Sequence, residues 1–188
     1  MIDVLFSIPL VFLYSILFGS CMKIADLLGE HGLKWFKGST LLFGIIFGFF
    51  GALLILSGNV LANFLIAMLI HWTLRYRIDS LEHGFAGAIM FTAFVLNLSN
   101  FTFDTLVFWV TLIPFSILGL LNDIADRKQI RGFAAKVVGF NFHYFIVPII
   151  LMVFNISYWI VLAVSALHVI SYETTKYYGM KLIEQKRK

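Results

Sequence analysis

Apolar residues run along this chain in blocks separated by short polar stretches, and the blocks approach the length of a bilayer crossing. A spanning helix needs about 20 apolar residues, with roughly 17–25 typical. Seven blocks come near that length: 4–22, 39–56, 60–74, 85–103, 105–121, 137–154 and 156–172. The block at 60–74 is short, the fourth and fifth meet at 100–104, and little more than Asn155 separates the last two. The pattern predicts an all-α integral membrane protein of about seven transmembrane helices. It forms one polytopic domain over residues 1–175, followed by a basic tail at 176–188.

The polar connections alternate in character. Those at 57–59, 97–104 and 155 contain no Lys or Arg. All 14 basic residues fall in 23–38, 75–84, 122–136 or the tail after 172. Basic connections stay on the cytoplasmic side, so the N-terminus is expected outside and the C-terminus in the cytoplasm of a multi-pass cell-membrane protein. An even number of spans would return the tail to the N-terminal side and spoil the separation. The acids follow the bases: Asp3 and Asp104 fall outside, while Asp26, Glu30, Asp79, Glu82, Asp123, Asp126, Glu173 and Glu184 fall inside. The orientation rule makes no such demand of acids, so their clustering calls for charge pairing or a site.

Composition agrees with the pattern. The chain is 61% hydrophobic and 13% charged, against roughly 45–50% and about 25% in soluble domains. The net charge of +4 therefore reports topology, and membrane lipid rather than nucleic acid is the expected partner. A single cysteine, Cys21, excludes an internal disulfide and a cysteine-cluster metal site. Met1-Ile2-Asp3 lacks the basic region of a signal peptide, so the first block is expected to be retained.

The inner connections resemble one another. Ile24-Ala25-Asp26 precedes Glu30-His31-Gly32; Ile78-Asp79 precedes Glu82-His83-Gly84; Ile124-Ala125-Asp126 precedes Arg131-Gly132; and Glu173 precedes Gly179. A glycine follows each acid after five or six residues. The spacing suggests three helical hairpins plus a final helix, with the acidic loops gathered about one axis.

The longest polar interruption is 121–136. Asp123 and Asp126, spaced i, i+3, neighbour each other on a helix and repel unless a cation lies between them. With Asp26 and Asp79 they are the candidate ligands for a divalent ion such as Mg²⁺, which takes oxygen donors and also binds phosphates. Arg127, Lys128 and Arg131 are the phosphate-binding candidates. Asn122-Asp123-x-x-Asp126 resembles the start of the aspartate-rich loop of UbiA-type intramembrane prenyltransferases, which use such loops for Mg²⁺ and a prenyl diphosphate. The likeness covers only those residues: Ile130 stands where that pattern has its next acid, and the chain is short for that family's bundle.

Glu30-His31 and Glu82-His83 are the second polar feature. Adjacent helical residues point about 100° apart, so neither pair is a chelate alone, but the two meeting across hairpins would supply carboxylate and imidazole together. His71, His143 and His168 sit near the inner ends of spans, with Asn141 beside His143. Intramembrane ionisable groups usually face a bundle interior or wet cavity. His31 and His143 are thus the acid–base candidates, and Glu30, Glu82, His83, His71, His168 and Asn141 line a cytoplasm-facing vestibule. Gly44, Gly48 and Gly51 form a small-residue seam whose partner is either within the chain or in a second copy, as a homo-oligomer. Pro114 and Pro148 lie inside spans that flank the 122–136 stretch.

Three functions follow in order of preference: a metal-dependent enzyme, transferase-like, acting on a phosphorylated lipid, with isoprenoid lipids among the candidates; a transporter or channel; a membrane scaffold. An enzyme needs one polar face, whereas a transporter needs access from both. The expected outer half offers only Asn59, Asn63, Asn97, Asn100 and Asp104.

Overall fold

The computed structural model describes residues 6–75, 78, 80–127 and 143–187, of which 122–123, 125–127, 143 and 186–187 are described by backbone alone. Among the described residues there are seven α-helices, two 3₁₀ turns and no strand. The helices are α1 (Ile8–Gly29), α2 (Ser39–Leu56), α3 (Asn59–Leu74), α4 (Leu81–Leu96), α5 (Thr105–Arg127), α6 (His143–Phe154) and α7 (Trp159–Arg187).

Three stretches are long and apolar enough to cross a membrane: Ile8–Gly29, Ser39–Leu56 and Ile156–Gln185. The others are shorter apolar helices: Asn59–Leu74, Leu81–Leu96, Thr105–Leu121 and Tyr144–Phe154. At 1.5 Å per residue, the 16 residues of α3 reach about 24 Å. Outward faces carry Phe49, Phe91, Trp109, Ile117 and Val153, each more than 45% exposed. Such an apolar exterior is what an aqueous surface avoids and a lipid-facing surface requires.

Local chemistry sets the helix ends. Pro9 occupies the first turn of α1, where a missing N–H costs nothing. Gly38 begins α2 with φ 87°, in the left-handed region that glycine enters without strain. Ser80 caps α4, its side chain accepting the His83 backbone N–H. The fourth apolar block is helical only to Leu96 and then turns through Leu98–Asn100. The fifth runs beyond its apolar limit, so Asp123 and Asp126 stand on helical backbone. The basic tail continues α7 through Arg187. Gly179 lets α7 close onto Leu27, and Ile183 packs with Leu27, Leu28 and Leu33.

Helix α3 is the central strut: every residue from Leu61 to Leu69 is buried. Around it, α1 packs on α7 and α2, α2 on α4 and α3, α3 on α5, α5 on α6, and α6 on α7. Chain order pairs α3 with α4, yet α4 lies mainly along α2. The glycine seam explains this. A Cβ on Gly44 would stand 2.8 Å from Glu82 Cα, one on Gly48 2.6 Å from Ala86 Cα, and one on Gly51 2.7 Å from Met90 Sδ. The seam's partner is therefore α4 of the same chain.

A hydrogen-bonded knot ties the α2–α3 end to the α4–α5 connection. Asn63 Nδ2 donates to the Asn59 and Thr102 carbonyls (2.8 and 2.9 Å), and its Oδ1 accepts the Asp104 N–H at 3.0 Å. Tyr158 donates its hydroxyl to Asp104 Oδ2 at 2.8 Å. These groups satisfy one another's hydrogen bonds.

Candidate functional site

The end of the bundle where α1 and α7 emerge and α4 begins gathers a cluster of charged side chains. Asp26 lies about one turn past the apolar body of α1 and is buried at 6% exposure. Lys23, one turn earlier on the same face, is buried at 4% and places Nζ 3.2 Å from Asp26 Oδ2. The Tyr172 hydroxyl donates to the same carboxylate oxygen at 2.9 Å and accepts from Lys23 Nζ at 3.2 Å. From α4, His83 Nε2 reaches Asp26 Oδ1 at 3.0 Å. The loop after α1 brings His31 Nε2 to 3.5 Å from Lys23 Nζ. Three side chains from three helices thus converge on the Asp26 carboxylate, and His31 from the loop joins them through Lys23.

His83 is held from both sides. Its Nδ1 lies 2.9 Å from Ser80 Oγ, the same oxygen that caps the helix. That contact fixes the ring and points Nε2 at Asp26, as an outer hydroxyl does for a metal-ligating histidine. Burial alone would lower the His83 pKa, but the hydrogen bond and charge of Asp26, reinforced by Glu82 and Glu30, raise it above the ordinary histidine value. The Asp26–His83 contact therefore invites a positive charge: a proton on Nε2, or a cation between the two.

Asp26, Glu30 and His83 each offer one ligand atom, and these atoms lie within 4.8 Å of one another. Glu82 adds a third carboxylate, buried at 7% and packed where α1 ends: a Cβ on Gly29 would meet its Oε1 at 2.6 Å. Lys23 pairs with one of these three carboxylates, that of Asp26; a protonated histidine or a bound cation would add further positive charge. By ligand type and spacing, Asp26, Glu30 and His83 could hold a metal ion. The imidazole suits Mn²⁺, Fe²⁺ or Zn²⁺ better than the all-oxygen shell that Mg²⁺ favours.

Several residues singled out in the sequence lie elsewhere. His71 is fully buried on α3, with Nε2 3.2 Å from Arg75 Nη1 and its ring edge-on to Phe115 at 5.7 Å. Arg75 lies against Gly119, whose missing side chain makes room for the guanidinium one turn before Asp123. His168 is packed among Phe18, Tyr144 and Tyr172 at 4.9, 5.8 and 6.3 Å. It borders a cavity of about 10 Å³, lined otherwise by Phe18, Phe64, Leu65, Met68, Tyr144, Val164 and Ser165. That volume holds about one water, and His71 and His168 are both buried. Asp123, Asp126, Arg127 and His143 are placed by backbone only, and Asp79, Lys128, Arg131 and Asn141 lie outside the described residues.

The sequence marked Asp26 as a metal-ligand candidate, His31 as an acid–base candidate, and Glu30 and His83 as vestibule residues, but three further groups were overlooked. Lys23 counted only as an orientation charge, although its i, i+3 spacing to Asp26 places both on one helix face. Tyr172, the last residue of the final apolar block, was not among the candidates. Ser80-x-x-His83 carried a helix-cap signal that went unused. No family model, curated protein or solved structure matches this chain.

Proposed function

We propose that this protein is a multi-pass membrane enzyme that acts on a phosphorylated lipid at the cytoplasmic surface, using a divalent cation held by Asp26, Glu30 and His83. The observation that carries the reading is the approach of those three ligand atoms within 4.8 Å, at a bundle end that also holds Lys23, His31 and Tyr172. A cation there would draw a phosphate and neutralise its charge. Lys23 pairs with the Asp26 carboxylate and holds it in place. His31, next to Lys23 and at the start of the loop, is the acid–base candidate.

The reading includes seven crossings, with the polar end in the cytoplasm, as the distribution of basic residues requires. The shorter helices fit it if the bilayer thins or flanking residues reach to the interface, each at modest cost. A transporter has less support. Between the polar cluster and the Asn63 knot the core is filled by Phe18, Phe64, Phe115 and Met68, all buried.

Binding of a short-chain lipid phosphate to the purified protein, with and without Mn²⁺, tests the proposal. Cation-dependent binding that is lost in Asp26→Asn and His83→Gln is expected. Binding that is cation-independent, or equal in those variants, would overturn it. Loss only in Asp123→Asn and Asp126→Asn would move the site to α5.

A further inference from the structure

The loop joining α1 to α2, Glu30 to Gly38, begins in the charged cluster and ends outside it. Glu30 and His31 face Asp26, Lys23 and His83. Leu33 then anchors the loop: it is 5% exposed, packs with Leu27, Leu28 and Ile183, and donates its N–H to the Leu27 carbonyl at 3.0 Å. Gly32 and Gly38, with φ of 80° and 87°, make the two bends that only glycine makes cheaply. Between the anchor and the second bend the chain presents Lys34-Trp35-Phe36-Lys37, all exposed. Trp35 is 51% and Phe36 57% exposed, and Trp35 rests edge-on against Phe43 at 5.4 Å.

Two large aromatics between two lysines, fixed by a buried leucine and paired bends, have no role in the core. The same pairing recurs beside it. Tyr177 and Tyr178, 65% and 60% exposed, stand next to Lys176 on α7, whose Ile183 shares the Leu33 cluster. Aromatic rings with flanking cations mark the headgroup level of a bilayer.

We infer that residues 34–37 form a membrane-surface anchor that docks on anionic phospholipid headgroups, with Trp35 and Phe36 at the acyl boundary and Lys34 and Lys37 on the phosphates. A chain advances at most about 3.6 Å per residue, so the anchor holds Glu30 and His31 within roughly 20 Å of the headgroup plane. It therefore sets the depth at which the charged cluster meets lipid. The inference rests on the membrane character of the chain and is independent of the cation and the substrate.

Fluorescence quenching tests it. The protein is reconstituted into vesicles of brominated phosphatidylcholine or brominated phosphatidylglycerol, and the Trp35 signal is taken as the difference between the wild type and Trp35→Phe. That signal should be quenched by both lipids, and more strongly by phosphatidylglycerol. Lys34→Ala/Lys37→Ala should erase the preference, which amounts to roughly five-fold per lysine, and Lys34→Arg/Lys37→Arg should keep it. A Trp35 signal quenched by aqueous iodide and untouched by either brominated lipid would overturn the anchor, as would a preference unchanged by removing both lysines. Failure of Mn²⁺ binding would leave it standing.

Discussion

Asp26→Ala is the most informative single change. The Asp26 and Lys23 side chains are 9% and 5% exposed. Removing the carboxylate strands the Lys23 ammonium in the interior and leaves the Tyr172 hydroxyl and the His83 Nε2 without their acceptor. Breaking a buried ion pair from one side costs about 3–5 kcal/mol, most of it the uncompensated charge. Replacing both partners by apolar groups is often close to neutral. Asp26→Ala should therefore destabilise by about 3–5 kcal/mol, and adding Lys23→Met should recover part of the loss. The two changes should couple by about 1–3 kcal/mol. Reversible unfolding by sodium dodecyl sulfate in mixed micelles, followed by circular dichroism, gives all four corners of the cycle. A loss below about 1 kcal/mol in Asp26→Ala, or additivity within about 0.5 kcal/mol, would refute the view that these two charges are held as a buried pair.

Four further outcomes follow from the geometry. Gly48→Leu sets a branched side chain against the Ala86 backbone, and overpacking of that kind costs about 1–3 kcal/mol; the same unfolding titration measures it, with Phe49→Leu on the exposed side of α2 as the near-neutral control. Asn63→Leu removes the acceptor of the Asp104 N–H and the donor to two carbonyls of solvent-exposed residues, and a lost intramolecular hydrogen bond costs about 0.5–1.5 kcal/mol, so a destabilisation of about 1 kcal/mol or more is expected. Because His83 is raised above its unfolded value of 6.5, the stability it contributes is fully present below that value and is lost as pH rises through the folded one; unfolding free energies in chelator between pH 5 and 9 should fall with pH in the wild type and flatten in His83→Gln. Cysteines placed one at a time at residues 58 and 130 should be labelled by an impermeant reagent from opposite sides of the membrane, and labelling of both from one side would contradict seven crossings.

Much of the helical order was legible because a hydrophobic block is a local signal. The blocks at 39–56 and 60–74 appear as Ser39–Leu56 and Asn59–Leu74 nearly residue for residue. Helix ends within polar sequence were harder to read. Residues 122–127 and 176–187 are polar yet helical, the latter because Gly179 and Ile183 pack on α1 and on the loop that follows it. Partner choice between helices was not legible from chain order. Helix α4 leaves its sequence neighbour because the glycines of α2 offer a closer approach than the side chains of α3.

The candidate site was half legible. Glu30-His31 and Glu82-His83 stood out as pairs, and one member of each, Glu30 and His83, meets Asp26. The roles of Lys23 and Tyr172 depend on α7 returning beside α1, a contact across 146 residues between Tyr172 and Asp26 that no local pattern reports. The polarity of His71 and His168 near helix ends is visible in sequence, whereas their packing against Phe115 and Phe18 is not.

Mn²⁺ binding to the purified protein, read by electron paramagnetic resonance, tests the central claim most directly. One bound ion per chain is expected in the wild type and in Asp123→Asn/Asp126→Asn, with binding lost in Asp26→Asn and in His83→Gln. A wild type that binds no Mn²⁺, or variants at Asp26 and His83 that bind it as the wild type does, would contradict the assignment of the cluster as a cation site.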